Sequence, residues 1–259
     1  MPSDSILLKH VVPALGTGVA WAMFLAPLKA VIAVRRSKAL GVMNPLPLVA
    51  MWANCAAWLV YAFLIVDPYV LASNLPGLIL AAFMTVTCYG YADERARDTM
   101  LCGIVGFSAL LFGAGAFLRF AGLDHAKSVA LWGFVTVGIL LIFYAAPLSS
   151  IAEVLRARNS AALNEPLALM AVLNGSLWGA YGWAVGDPFI WGPNLVGALF
   201  GVLQVSLVKA YPSKPSDPKV GGEEAASMMR DAEGARFTED SAAAGGGGRH
   251  GQGYRKEGV

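Results

Sequence analysis

The fold is decided by residues 44–77, which read NPLPLVAMWANCAAWLVYAFLIVDPYVLASNLPG. The same pattern returns 120 residues later at residues 164–197, as NEPLALMAVLNGSLWGAYGWAVGDPFIWGPNLVG. The two copies align without a gap and share asparagine, tryptophan and proline at matching positions, which chance rarely produces. The match extends upstream to the Pro-Leu pairs that begin at Pro27 and Pro147. The chain therefore contains one structural unit twice.

The composition is that of a chain that lies in a lipid bilayer. Hydrophobic residues make up 57% of it and charged residues only 14%, and the mean hydropathy is +0.59. A water-soluble domain needs more charge to cover its surface. Because about 20 apolar residues cross the hydrocarbon core as a helix, we expect an all-α membrane protein with seven spans. These lie near residues 7–33, 46–66, 69–91, 99–120, 128–152, 166–185 and 189–210.

The basic residues indicate how the spans are oriented. Seven of them fall in the loops after spans one, three and five, as Arg35, Arg36, Lys38, Arg95, Arg97, Arg156 and Arg158, and Lys214 and Lys219 follow span seven on the same side. The opposite side holds mainly Lys9, Arg119 and Lys127. Since lysine and arginine accumulate on the cytoplasmic side, we expect a non-cytoplasmic N-terminus and a cytoplasmic C-terminus. Among cellular membranes we favour the plasma membrane over an endomembrane.

Each copy of the repeat covers three spans, so two copies joined directly would point in opposite directions. The fourth span has no counterpart and makes the copies parallel, an architecture found in transporters. Its glycines suit close helix packing. We predict a first triple-helix repeat at residues 1–95, a linker transmembrane helix at 96–126 and a second triple-helix repeat at 127–211. Residues 212–259 lose the apolar pattern and are predicted to form a disordered cytoplasmic tail.

Polar side chains that pair across the repeat are the candidate substrate-binding residues. In each copy one asparagine lies about two turns beyond an Asp-Pro, and a tryptophan follows a second asparagine by four residues, on the same helix face. These residues are Asn74 and Asn194, Trp58 and Trp178, and Asn54 and Asn174. Amides beside an indole suit a neutral sugar, whose C–H face stacks on the ring. The alternative is that the tryptophans form an interfacial belt and the asparagines join helices.

Prolines mark where the spans could bend. Pro27 and Pro147 lie inside spans one and five, where a missing hydrogen bond lets a helix kink. We expect hinges there that serve alternating access, although kinks that serve packing alone would give the same pattern. Pro45, Pro47 and Pro166 begin spans two and six, where a proline is often only a good first-turn residue.

The groups that would power or catalyse a reaction are missing from the sequence. The three cysteines and three histidines do not have metal-ligand spacing, and no phosphate-binding loop motif occurs. No carboxylate or histidine is expected near mid-membrane, where a proton-coupled pump would need one. We therefore expect passive transport, with no cofactor, no metal, no enzymatic activity and no nucleic-acid partner.

At these positions the sequence resembles the SWEET family of sugar transporters, over about residues 10–211. The resemblance rests on Asn54-Cys55 with Trp58 and Tyr61, Ala146-Pro147-Leu148-Ser149, Asn174-Gly175-Ser176 with Trp178 and Tyr181-Gly182, Asp187-Pro188-Phe189, Pro193-Asn194 with Gly197, and Gln204.

This resemblance implies a seven-helix facilitator built from two triple-helix bundles, often a homo-oligomer, that moves mono- or disaccharides. It assigns the sugar contacts to the paired asparagines and tryptophans, with Asn54 and Asn174 flanking the pocket. It assigns hinges to Pro27, Pro47 and Pro147, and it makes Tyr61 and Asp187 part of an extracellular gate.

The resemblance also bears on which sugar is moved. In this family small side chains around the pocket accompany sucrose transport, and bulkier ones accompany hexose transport. Since Met23, Phe143, Asn54 and Asn174 are not small, we expect hexoses such as glucose, with sucrose as the second choice. The family's fourth hinge proline lies two residues earlier than Pro166, which is its nearest substitute here.

Two other functions stay open at this point. Amino-acid exporters of the PQ-loop type share this bundle, but no Pro-Gln dipeptide occurs in the sequence. A non-transporting receptor of the same fold would be expected to read its cargo with charged residues in the cavity. The expected pocket is uncharged, which argues against such a receptor.

Overall fold

The protein is described by a computed structural model over residues 5–41 and 43–213, so the predicted tail lies outside the described residues from residue 214 onward. Every regular element within those ranges is helical. The helices are α1 (Val12–Leu25), α2 (Leu28–Ser37), α3 (Leu46–Ile65), α4 (Pro68–Tyr91), α5 (Glu94–Phe120), α6 (His125–Phe143), α7 (Ala145–Ala157), α8 (Glu165–Val185) and α9 (Pro188–Ala210). A π-helical turn, Leu7–Val11, precedes α1, and a 3₁₀ turn, Ser160–Ala162, precedes α8.

These helices form seven spans, because two of the spans consist of two helices each. The first span, Leu7–Ser37, contains α1 and α2, and the fifth, His125–Ala157, contains α6 and α7. Six spans are long and apolar enough to cross a membrane on composition alone. The seventh, α8, has the length, but its asparagine, serine and glycines lower its hydropathy. The predicted fold class is confirmed: an all-α membrane protein with seven spans in two three-helix bundles and a linker helix.

Matching turns make each α3–α4 or α8–α9 pair an antiparallel hairpin. Val66 after α3 and Gly186 after α8 both adopt the left-handed conformation, with φ of 55° and 75°. The next residue is Asp67 or Asp187, whose carboxylate accepts two of the first free N–H groups of the following helix. Side chains 120 residues apart therefore occupy corresponding places in the two units.

The outer surface is apolar. The side chains of Phe63, Phe112, Phe120, Phe134 and Trp183 are all largely exposed. In water such a surface would drive association, whereas in a bilayer it contacts lipid.

The fourth span, α5, lies on the outside of the molecule, and Met100 is its only buried residue. Its predicted glycine packing occurs in part. Gly103 and Gly115 face side chains of α3 and α6, but among the described residues nothing lies within 4 Å of where a Cβ of Gly106 or Gly113 would be. Half of the glycines therefore face outward because α5 has helices on one side only.

Candidate functional site

A cavity of about 560 Å³ lies between the two three-helix units. Its size is in the range of small-molecule sites. Every span except α5 contributes to its wall, and none of the described residues that line it carries a charge. An ionic ligand would therefore enter without a counter-charge, which is costly at membrane depth.

The cavity brings together nearly all of the residues that the sequence singles out. The predicted residues that line it are Asn54, Asn74, Asn174, Asn194, Trp58, Trp178, Met23, Phe143, Pro27, Pro47 and Pro147. Pro166 is not among them. It lies exposed in the first turn of α8, and its neighbour Leu167 lines the cavity instead.

The helix breaks lie close to the predicted hinge prolines. Pro27 is the N-cap residue of α2, so the break in the first span falls at Ala26 and Pro27. In the fifth span the break falls at Tyr144, three residues before Pro147. The Tyr144 hydroxyl donates to the carbonyl of Pro193, at 3.0 Å. Tyr144 also lines the cavity, and the sequence analysis did not single it out.

Two of the paired asparagines have fixed amide orientations. The Nδ2 of Asn74 donates to the carbonyl of Val70 at 2.9 Å, and that of Asn194 donates to the carbonyl of Ile190 at 2.8 Å. Because each amide nitrogen is held by its own helix, the Oδ1 atom is left as the free end. No described donor reaches either Oδ1, so each is an acceptor available to a ligand.

The other asparagine pair has unsatisfied oxygens. The Oδ1 atoms of Asn54 and Asn174 are buried, and no hydrogen-bond partner reaches them within the described residues. Asparagines that joined helices would have these atoms paired, because an unmade buried hydrogen bond is expensive. The geometry favours acceptors that wait for the hydroxyl groups of a ligand.

The paired tryptophans are buried beside the cavity instead of forming an interfacial belt. Trp58 is 7% exposed and Trp178 is 6% exposed. Each ring meets the edge of a tyrosine one turn further along its helix, Trp58 against Tyr61 and Trp178 against Tyr181, with centroids 5.8 Å apart. The two indole rings therefore form an aromatic part of the cavity wall and separate the cavity from these tyrosines.

Beyond the tryptophans, two tyrosine–aspartate pairs close one end of the cavity. The Tyr61 hydroxyl donates to both carboxylate oxygens of Asp187, at 2.8 and 3.0 Å. The Tyr181 hydroxyl donates to Asp67 at 2.5 Å. Both bonds join one three-helix unit to the other. Only the first pair was predicted as a gate from the sequence, although the 120-residue repeat carries the second at the corresponding positions.

The opposite end of the cavity is open. Asn44, Asn164 and Leu167 line the cavity there and are exposed, whereas Tyr61 and Tyr181 at the closed end are buried. Two of these residues also shape the backbone, because Asn44 and Asn164 accept N–H groups at the starts of α3 and α8. The described conformation is thus sealed at the aspartate end and accessible from the other.

Comparison with known proteins identifies relatives. The profile of a family described as "Sugar efflux transporter for intercellular exchange" matches twice, at residues 10–96 and 130–216. The rice (Oryza sativa subsp. indica) protein "Bidirectional sugar transporter SWEET15" is 30% identical over 201 residues, which cover 77% of this chain and 63% of the relative. The Arabidopsis thaliana "Bidirectional sugar transporter SWEET7" is 25% identical over 79% of this chain and 81% of the relative.

A solved structure has the same fold. It is a eukaryotic SWEET transporter that superimposes with a TM-score of 0.73 over 80% of this chain and 98% of its own, at 23% sequence identity.

Proposed function

Because the chain belongs to the family of sugar efflux transporters for intercellular exchange, we propose that it is a passive, bidirectional sugar transporter that works by alternating access. The observation that carries the proposal is the uncharged cavity, where four asparagine oxygens and two indoles meet beside a closed gate. The family consists of transporters, and no enzymatic step is proposed.

The chemistry of the cavity supports a sugar as the substrate. A sugar offers hydroxyl donors to the free oxygens of Asn54, Asn74, Asn174 and Asn194, and it offers C–H faces to the indole rings. An amino acid would bring an ammonium and a carboxylate, for which the lining residues provide no counter-charge. We therefore prefer a sugar to the amino acids moved by PQ-loop exporters.

The bulk of two lining side chains supports hexoses over disaccharides. Met23 and Phe143 line the same cavity as the paired asparagines, and neither side chain is small. Glucose is the expected substrate, and sucrose is the second choice.

The absence of acidic and basic side chains from the described cavity lining supports downhill movement. No described residue that lines the cavity is an aspartate, glutamate, histidine, lysine or arginine. Proton coupling needs a group that changes charge along the pathway. The direction of flux would then follow the sugar gradient alone.

The basic residues support a cytoplasmic position for the open end. Arg35, Arg36 and Arg156 lie in the last turns of α2 and α7, on the same side as the exposed Asn44 and Asn164. In this orientation the aspartate end is extracellular and the N-terminus is non-cytoplasmic. We propose the plasma membrane as the location and leave a homo-oligomer open.

Uptake into liposomes tests the proposal. The purified protein is reconstituted, and labelled glucose, sucrose and alanine are supplied with and without a proton gradient. We expect glucose to equilibrate without a gradient, faster than sucrose, and alanine to stay outside. The Asn194→Ala variant should lose this flux, whereas Asn159→Ala, an equal change at an exposed turn outside the cavity, should keep it.

Each contrary result contradicts a different part of the proposal. Sugar flux that needs a proton gradient would exclude the passive mechanism, and faster sucrose would reverse the hexose preference. Alanine flux would favour an amino-acid exporter. If none of the three moved, a non-transporting receptor would be the better interpretation.

A further inference from the structure

The two three-helix units meet along two seams that the repeat relates to each other. One is the α3–α6 seam, where α3 of the first unit packs on α6 of the second, and the other is the α1–α8 seam. In a perfectly symmetric carrier the two seams would open equally. The side chains at the seams differ in three ways.

The first difference is a hydrogen bond that spans only one seam. The indole N–H of Trp132 in α6 donates to the carbonyl of Ala57 in α3 at 2.9 Å, and the Thr136 hydroxyl approaches the same carbonyl at 3.4 Å. Trp132 is 2% exposed and Thr136 is 1% exposed. In the membrane interior no water is available to accept a hydrogen bond from a buried N–H group. Separating Trp132 from the Ala57 carbonyl would therefore leave the indole N–H without a partner.

The α1–α8 seam lacks this bond. The residues that correspond to Trp132 and Thr136 are Val12 and Gly16, and neither has a side chain that can donate a hydrogen bond. Trp178 of α8 lies against Gly16, with its Nε1 3.0 Å from where a Cβ of Gly16 would be. Among the described residues no hydrogen bond joins α1 to α8. The contact of the Trp178 ring with Gly16 can slide more easily than a contact held by a hydrogen bond, such as that of Trp132 with Ala57.

The second difference is the linker helix. Phe107 and Leu111 of α5 pack on the buried cluster formed by Ala53, Ala57 and Ile139, which lies within the α3–α6 seam. This helix therefore covers that seam from the lipid side. Within the described ranges the α1–α8 seam has no equivalent cover.

The third difference lies at the gate, where an aromatic residue of α4 or α9 packs against each gate tyrosine. On the α3–α6 side, Phe189 packs edge-on against Tyr61 and fills the space above Gly133 of α6. On the α1–α8 side, Tyr69 packs against Tyr181, and its hydroxyl is hydrogen-bonded to the exposed His10 at 2.9 Å. One half of the gate is thus apolar and tightly filled, and the other is polar and near the surface.

We propose that transport is asymmetric: the α3–α6 seam stays closed throughout the cycle, and the gate opens by separation along the α1–α8 seam. Trp132 and Thr136 act as positioning residues that keep α3 against α6. Ala57 directly precedes Trp58, which lines the cavity. The hydrogen bonds to the Ala57 carbonyl therefore also fix the position of Trp58 in the cavity wall. This inference rests on the proposed function, because it concerns how the two units move during sugar transport.

Spin-label distances test the motion without any sugar flux. Labels at Phe63 and Phe134 span the α3–α6 seam, and labels at the corresponding Trp183 and Ala14 span the α1–α8 seam, all at exposed positions. The native cysteines are replaced by alanine beforehand. Each pair is measured with the gate intact and after both gate tyrosines are changed to phenylalanine. We expect the α1–α8 distance to lengthen and broaden while the α3–α6 distance stays unchanged.

Cross-links test whether the asymmetry matters for transport. In the cysteine-free background, Ala53→Cys with Ile139→Cys links the α3–α6 seam, and the corresponding Val19→Cys with Leu173→Cys links the α1–α8 seam. Linking the first pair should change glucose flux less than twofold. Linking the second should lower flux at least tenfold, and reduction of the link should restore it.

A rescue experiment separates positioning from mere stability. Trp132→Phe should lower flux at least fivefold, and the α3–α6 cross-link should restore it to within twofold of the linked parent. Trp21→Phe is the matched control, because Trp21 also donates its indole N–H to a carbonyl, that of Ala72 at 3.1 Å, but within one unit. It should keep its flux within twofold.

Equal movement at both seams, or equal inhibition by both cross-links, would overturn the inference. If Trp132→Phe folds but the cross-link does not restore its flux, Trp132 is not a positioning residue of the α3–α6 seam. If the unmodified protein moved no sugar at all, the proposed function would fail, and the spin-label distances would still decide which seam opens.

Discussion

The two tyrosine–aspartate pairs at the closed end define the free energy of opening. A hydrogen bond to a charged group contributes about 1.5–3 kcal/mol. In Tyr61→Phe the ring and its packing on Trp58 remain, and only the donor to Asp187 is lost. The carboxylate is still capped by two backbone N–H groups of α9, so the loss should lie at the low end, about 1.5 kcal/mol. Since 1.4 kcal/mol corresponds to a tenfold change, the open population should rise about tenfold.

Access to the cavity from the aspartate end, which is extracellular in the proposed orientation, measures this population. Val70 lines the cavity next to the gate and is 1% exposed, so a Val70→Cys probe should react with a membrane-impermeant thiol reagent only when the gate opens. In a background without the native cysteines and in right-side-out vesicles, Tyr61→Phe or Tyr181→Phe should each accelerate labelling about tenfold. The double variant should accelerate it about a hundredfold, because the two bonds share no atom and their free energies add.

The control is Tyr91→Phe, which removes a hydroxyl that accepts from Lys38 on the exposed surface at 3.1 Å. It should leave the labelling rate unchanged. Unchanged labelling in the double gate variant would refute the reasoning, because it would mean that these bonds are not broken when the cavity opens outward. Equal acceleration by Tyr91→Phe would show that the assay reports general loosening.

Three further predictions concern the binding site, the packing and the energy source. Asn74→Ala and Asn194→Ala should each reduce glucose flux about five- to thirtyfold, since each removes a free acceptor worth about 1–2 kcal/mol, while size-exclusion chromatography shows folded protein. Gly175→Ala would place a Cβ 2.8 Å from the backbone nitrogen of Ala198. It should lower the free energy of unfolding by about 1–3 kcal/mol, measured as a lower melting temperature. Gly138→Ala should leave the melting temperature unchanged, because no described atom lies within 4 Å of the added Cβ. Collapsing a proton gradient should leave the initial rate of glucose uptake unchanged, because no described residue that lines the cavity is an aspartate, glutamate, histidine, lysine or arginine; a rate that follows the gradient would contradict this.

The repeat made most of the fold and the site predictable. Residues matched across the 120-residue offset lie in corresponding places, so the paired asparagines and tryptophans could be assigned to one cavity before any coordinates. The Asp-Pro turns were equally legible, since aspartate caps a helix and proline suits its first turn. The Tyr181–Asp67 pair is equally legible in the repeat, because it corresponds to Tyr61 and Asp187 at the 120-residue offset.

Contacts that depend on the tertiary structure could not be predicted in this way. The break in the fifth span lies at Tyr144 and not at Pro147, and the hydrogen bond from Tyr144 to the Pro193 carbonyl has no signal in either local sequence. Pro166 misses the cavity because it lies one position before the residue that matches Pro47 across the repeat. A helix position shifted by one residue turns by about 100°, which is enough to move a side chain from the cavity to the surface.

A passive carrier must also return empty, and this sets a condition on the open end. The two gate bonds favour the described conformation by about 3 kcal/mol if both are lost on opening. For both conformations to be populated, closure of the opposite end must offset most of that difference. The side chains available there are mainly apolar, among them Met43, Pro47, Leu167 and Phe200. At about 25 cal/mol per Å² of apolar surface removed from water, burial of about 120 Å² would suffice. Two or three of these side chains can supply such an area when they meet, so the balance requires no ion and no further polar gate at the open end.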